Sequence, residues 1–289
     1  MLRNSPKSVV TNPFPVESLT NIPLTHNVNY FDEANVFTDA NQLQSLLNRI
    51  SGASLGATQN LFVDADEHDN LIEIRPEDTA PGGLRAWGGN DLILGTHVND
   101  IVNGNAGNDK IVGAGGHDML QGGEGNDWIG GGEGHDLMMG NPGDDCLLGG
   151  AGNDVIRGGA GVDVLIGNAG NDILMGDGDA DFLMGSEGAD QFILRGDTFT
   201  KDAAFADRIL DFNLGEGDMI KIVSFPGMNA ISFAAEDVNL DGTLDTAILC
   251  SDGVMGVMLS IDPTQINLKS SIFMAGPQDT TLSHIGEYF

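Results

Sequence analysis

A nine-residue phrase repeats in register through the middle of this chain, and it limits the chain to very few folds. In GGEGNDWIGGGEGHDLMM, residues 122–139, the phrase occurs twice. Steps of nine from Asp127 land on aspartate in both directions: Asp91, Asp100, Asp109, Asp118, Asp127, Asp136, Asp145, Asp154, Asp163, Asp172, Asp181 and Asp190. Two residues after each stands an apolar residue, from Ile93 and Val102 to Leu183 and Phe192. Five residues before each stands glycine, with Ala86 the exception. The array covers 86–193. Glycine permits the positive φ angles of tight turns. A three-residue strand then follows, its middle residue facing inward. Turn plus strand is half a coil, so 18 residues make one coil with two strands. Coils stacked at roughly 4.8 Å give six turns spanning about 29 Å. A disordered glycine-rich linker has no reason to hold twelve phased apolar residues.

Aspartates 18 apart then share an edge on successive coils, which sets up two rows of like charge. Residues 86–193 hold 18 acidic residues against two basic ones, Lys110 and Arg157. Protein cations cannot balance these rows. A hard cation with six or more oxygen ligands can, and turn carbonyls are available to join the carboxylates. Calcium suits this donor set; magnesium prefers a tighter octahedron and keeps its waters. The whole chain has 43 acidic and 12 basic residues, a net charge of −31. Such a surface repels nucleic acid and anionic membrane and attracts cations. The array also has 29 glycines, which are costly to order. The metal-free chain is therefore expected to be largely unfolded, with metal binding supplying folding free energy.

The pattern G-G-x-G-x-D-x-U-x, with U a large apolar residue, is that of the RTX nonapeptide. The chain resembles the RTX calcium-binding family. The resemblance implies a parallel β-roll with calcium held between adjacent turns by the twelve aspartates and turn carbonyls. It also implies export through type I secretion and folding outside the cell. Two copies depart from the pattern. AWGGND and GTHVND at the start lack the full glycine set, so their sites are expected to be weak or absent. GDGDAD at 176–181 places Asp179 where a glycine belongs.

The expected fold is all-β: a β-solenoid of 18 residues per coil, with a small α/β cap at 1–85 and a β-rich cap at 194–289. In the N-terminal cap, 39–50 reads as an amphipathic helix with Asp39 as N-cap. Segments 61–64 and 71–74 read as a hairpin. Residues 189–222 are similar to the segment that closes the roll in serralysin-type secreted proteases. DVNLDGTLDTAIL at 237–249 puts Asp237, Asn239, Asp241 and Asp245 at positions 1, 3, 5 and 9 of an EF-hand-like loop. Position 12 is Ile248 and a strand follows, so a helix-loop-helix sensor is excluded and a strand-joining calcium loop is expected. HIGEYF at the end resembles an uncleaved type I secretion signal. The start has no apolar signal-peptide core, and no run of about 18 apolar residues exists to span a membrane. Extracellular or cell-surface location is expected.

Residues flanking the inward ones should face outward, and many are apolar. On one sheet these include Trp128, Leu148, Val164, Ile166, Phe182 and Met184. A face of this kind is covered either by a flanking segment or by another chain, so a homo-oligomer or surface partner is expected there. No H-E-x-x-H metalloprotease motif is present. Ser54 in Gly52-Ala53-Ser54-Leu55-Gly56 follows a predicted helix, where a nucleophile elbow needs a strand. His117 and His135 sit 18 apart and should stack as solvated turn residues. Cys146 and Cys250 read as buried small hydrophobes. The expected function is a non-enzymatic calcium-binding protein with a structural, assembly or adhesion role. The alternatives are a secretion module of a hydrolase or polysaccharide-modifying enzyme, or a carbohydrate-binding module, for which two Trp and two Tyr are a poor supply.

Overall fold

The computed structural model describes residues 63–74, 83–195, 198–223, 231–250, 253–261, 263–266 and 272–275. It is a parallel two-sheet roll. One sheet runs β1 (Val63–Asp64), β3 (Leu84–Arg85), β5 (Ile101–Ala106), β7 (Met119–Glu124), β9 (Leu137–Pro142), β11 (Val155–Ala160), β13 (Ile173–Gly178), β15 (Gln191–Arg195), β17 (Met219–Val223) and β21 (Ile272–Ala275). The facing sheet runs β2 (Leu71–Glu73), β4 (Leu92–Leu94), β6 (Lys110–Gly116), β8 (Trp128–Gly134), β10 (Cys146–Ala151), β12 (Val164–Ala169), β14 (Phe182–Glu187) and β16 (Asp207–Ile209). It ends in β20 (Val254–Met258), β19 (Asp245–Leu249) and β18 (Ser232–Glu236), the last two added antiparallel.

Register follows the 18-residue coil. Ile93 pairs with Ile111, Ile111 with Ile129, and Leu147 with both Ile129 and Leu165. On the other sheet Val102, Leu120, Met138, Ile156, Leu174 and Phe192 form the equivalent ladder. These residues are 0–1% exposed and make one continuous core. The strands of the array are mostly six residues long rather than three. After the corner glycine, two turn residues pair again in register, as in Gly150 with Asn168 and Ala151 with Ala169. Both turn and strand are thus bonded to the coils above and below.

The ladder also runs beyond 86–193 on both sides. Segments 63–64 and 71–73 do not form the expected hairpin. Each pairs in parallel one coil further out, Val63 with Leu84 and Ile72 with Ile93, in opposite sheets. The intervening acidic loop acts as a roll turn: Asn70 N–H donates to Asp91 Oδ1 at 2.7 Å, and Asn90 N–H to Asp69 Oδ1 at 2.9 Å. At the other end β16, β17, β20 and β21 keep the parallel register. The helix expected at 39–50, the Ser54 motif and HIGEYF lie outside the described residues. Among the described residues no helix is long and apolar enough to cross a membrane.

The outward apolar residues shield one another. Cys146, Leu148 and Ile166 are 7–9% exposed, with Trp128, Val164 and Met184 packed around them. The Trp128 ring lies across Gly130, 2.9 Å from where a Cβ there would stand. This face is therefore a self-packed apolar cluster whose outer members Trp128, Val164 and Met184 stay partly exposed. Both cysteines are free and buried, as expected.

Candidate metal centre

The structure stacks the twelve phased aspartates in two rows, one per edge, and buries every one of them. In each row Oδ1 accepts the backbone N–H of the aspartate one coil earlier. Asp91 N–H donates to Asp109 at 2.8 Å, Asp109 to Asp127 at 2.8 Å, and Asp127 to Asp145 at 2.7 Å. In the other row Asp118 donates to Asp136 at 3.0 Å and Asp154 to Asp172 at 2.8 Å. Among the described residues, the second oxygen, Oδ2, has no hydrogen-bond partner in any phased aspartate except Asp100. There it accepts Thr96 N–H at 2.7 Å, in one of the glycine-poor first copies.

A buried carboxylate oxygen without a partner is expensive. Without a cation, burial raises these acids: Asp109 to about 6, Asp145 to about 7, and Asp127, Asp163 and Asp172 to about 8. Asp118 rises well above the ordinary range through burial and then through the charges of Asp136 and Asp100.

The turns add proton-free oxygens beside the carboxylates. Among the described residues, the carbonyls of Gly107, Gly125, Gly143 and Gly161 accept no backbone hydrogen bond. Those of Gly107, Gly125 and Gly143 point at the equivalent glycine one coil on. A Cβ on Gly125 would lie 2.0 Å from Gly107 O, and one on Gly143 1.9 Å from Gly125 O. The glycine five residues before each aspartate is as constrained: a Cβ on Gly122 would lie 2.0 Å from Asp127 Oδ2. Glycine is required here because oxygens already occupy the space. Among the described residues no three His, Cys, Asp or Glu side chains gather as a metal cluster. Any cation in a row would therefore complete its shell with backbone carbonyls or water. Mixed carboxylate and carbonyl oxygens are the donors that calcium takes.

Two carboxylates missed by the nine-residue phase extend the rows. Asp181 N–H donates to Asp207 Oδ1 at 3.3 Å and Asp190 N–H to Asp218 Oδ1 at 3.0 Å, at spacings of 26 and 28 residues. The signal was local: Asp207-Arg208-Ile209 and Asp218-Met219-Ile220 each repeat the aspartate-x-apolar phrase. Burial and its neighbour Asp207 push Asp181 strongly up.

In the loop before β19, Asp237 accepts Asp241 and Gly242 N–H groups at 3.1 Å, and Asn239 Nδ2 donates to Asp241 at 2.9 Å. Asp245 sits buried at the loop base, accepting Val238 N–H at 2.9 Å and Ser260 N–H at 2.8 Å. The His117 and His135 rings do stack, with centroids 5.1 Å apart. Their Nδ1 atoms accept backbone N–H groups, from His135 at 2.8 Å and Asn153 at 2.6 Å. The neutral rings thus carry their proton on Nε2, which removes that nitrogen as a metal ligand.

Fold and donors together define a parallel β-roll whose turns present buried, stacked carboxylates to cations. The family described as RTX calcium-binding nonapeptide repeat (4 copies) matches residues 88–120, 95–129, 121–156, 130–165, 139–174 and 157–192. The section 88–192 is an array of RTX calcium-binding repeats. No curated protein matches the chain. Among solved structures, the extracellular lipase LipA from Serratia marcescens is matched at 14% identity over 71% of this chain, with a TM-score of 0.27. This chain spans 42% of that lipase's length, and so low a score carries no argument about fold or activity.

Proposed function

We propose that this is a secreted or cell-surface calcium-binding protein that folds when calcium fills the two aspartate rows. In this reading 86–193 is the calcium-ordered rod and the segments on either side are caps. The protein has no catalytic role of its own and serves as a rigid element in assembly or adhesion. The observation that carries the reading, among the described residues, is the line of buried Oδ2 atoms without a hydrogen-bond partner, in turns whose glycine carbonyls accept no backbone hydrogen bond. The phased aspartates, extended by Asp207 and Asp218, hold the ions, and the Asp237–Asp245 loop holds one more. Export fits a chain that is unfolded where calcium is scarce and folds where it is plentiful. The apolar cluster around Leu148 and Ile166 is the surface through which copies associate or a partner is met. Circular dichroism in calcium and in chelator tests the core of this proposal: strand signal that survives chelation unchanged rejects it. Light scattering in millimolar calcium tests association, and a clean monomer rejects that part.

A further inference from the structure

The residue immediately before each stacked aspartate is asparagine, aspartate or histidine at nine of twelve positions. These three types share one feature, a hydrogen-bond acceptor at the δ1 position. The structure uses that atom at every continuous step. On one edge Asn108 N–H donates to Asn90 Oδ1 at 2.8 Å, Asn126 N–H to Asn108 Oδ1 at 2.9 Å, and Asp144 N–H to Asn126 Oδ1 at 3.0 Å. On the other edge histidine Nδ1 does the same work, as described above for His117 and His135. The ladder stops where the acceptor stops: Val162 N–H donates to Asp144 Oδ1 at 2.9 Å, but the Val162 side chain has no acceptor for Ala180 N–H.

The bonded N–H shares a peptide plane with the carbonyl of the preceding glycine. A trans peptide points the two in opposite directions. Tying Asn126 N–H back to Asn108 therefore aims Gly125 O forward, toward Gly143. The δ1 atom also lies beside the next turn's glycine: Asn108 Oδ1 is 3.0 Å from the place of a Gly125 Cβ.

We infer that this residue is a positioning residue for the cation. It locks the glycine peptide so that its carbonyl is held in place as a ligand, and it sets the affinity and hydration of the ion between the turns. The inference rests on the calcium reading of the rows. It also divides the sites: those along the ladder hold a clamped carbonyl, whereas turn 176–181 has lost the clamp and carries Asp179 instead.

Terbium, a hard oxygen-seeking ion excited through Trp128, reports the site flanked by Asp109 and Asp127. Full-length Asn108→Ala should bind terbium about five-fold more weakly there, the worth of one ordinary hydrogen bond. Luminescence lifetimes in H2O and D2O should show one more coordinated water. Asn108→His, which restores a δ1 acceptor, should recover the wild-type water count. The core variant Ile129→Val should weaken folding and leave that count unchanged. A wild-type water count in Asn108→Ala, or failure of Asn108→His to restore it, overturns the inference while the calcium reading stands. A wild-type chain that gives no sensitised terbium signal overturns the calcium reading, and the inference falls with it.

Discussion

Asp127→Asn should act in opposite directions with and without calcium. The amide keeps the Oδ1 acceptor for Asp109 N–H, now at 2.8 Å, and removes the charge. In the metal-free fold, burial first, and then the charges of Asp145 and Asp109, push Asp127 up to about 8 from an ordinary 3.8. The folded chain thus keeps a proton that the unfolded chain releases at neutral pH. A group raised in this way opposes folding increasingly as pH climbs from about 4 to about 8. At pH 7 the opposition is 7 − 3.8 units at 1.36 kcal/mol each, about 4 kcal/mol. Asparagine removes it, so in chelator the variant should fold at lower osmolyte concentration than wild type, followed by circular dichroism. In calcium the variant lacks a charged ligand, and even the loss of a ligand's supporting partner typically costs at least about tenfold in affinity. Its calcium midpoint should rise by at least about that factor. A variant that is weakened, or strengthened, in both media refutes the reasoning, because then the carboxylate is not answering to a cation.

The same linkage predicts that acid partly replaces calcium. In chelator, lowering pH from 8 to 5 protonates Asp127, Asp163, Asp172 and Asp145 in the fold, so strand signal should grow as pH falls. Strand signal that shrinks over that interval contradicts the assignment. Gly134→Ala should block folding even in excess calcium, because φ is +150° and the new Cβ would stand 1.5 Å from Gly116 O. Gly242→Ala has φ +89° and nothing within 4 Å, so only the backbone penalty of about 1–2 kcal/mol should appear in calcium-saturated urea melts. Ile129→Ala removes a fully buried rung and should cost about 2–5 kcal/mol in the same melts.

The array was readable from sequence because each constraint there is local and periodic. Glycine, aspartate and the inward apolar residue recur at fixed offsets, and 18 residues per coil then fix both register and rows. The ends were harder because insertions change the phase. Asn70 to Asp91 is 21 residues, and Asp181 to Asp207 is 26, yet pairing is preserved by longer turns. That is why 61–64 and 71–74 resembled a hairpin: two short apolar segments around an acidic turn look alike whether they pair with each other or with the next coil. The Asn, Asp and His ladder went unread for a different reason. Three residue types serve one role, and the shared δ1 acceptor is visible only when successive coils are laid over one another. The outer cluster shows the reverse limit, since sequence marks Leu148 and Ile166 as outward-facing but does not reveal that Trp128 and Met184 pack around them.

Small-angle scattering during a calcium titration at neutral pH bears most directly on the role of cations in the fold. A 289-residue chain has a radius of gyration of about 60 Å unfolded and about 19 Å compact. Calcium-free protein should lie toward the larger value and contract to less than half of it as several ions bind per chain. Equal, small radii in chelator and in calcium would mean that the buried carboxylates are accommodated without metal, contrary to the account given above.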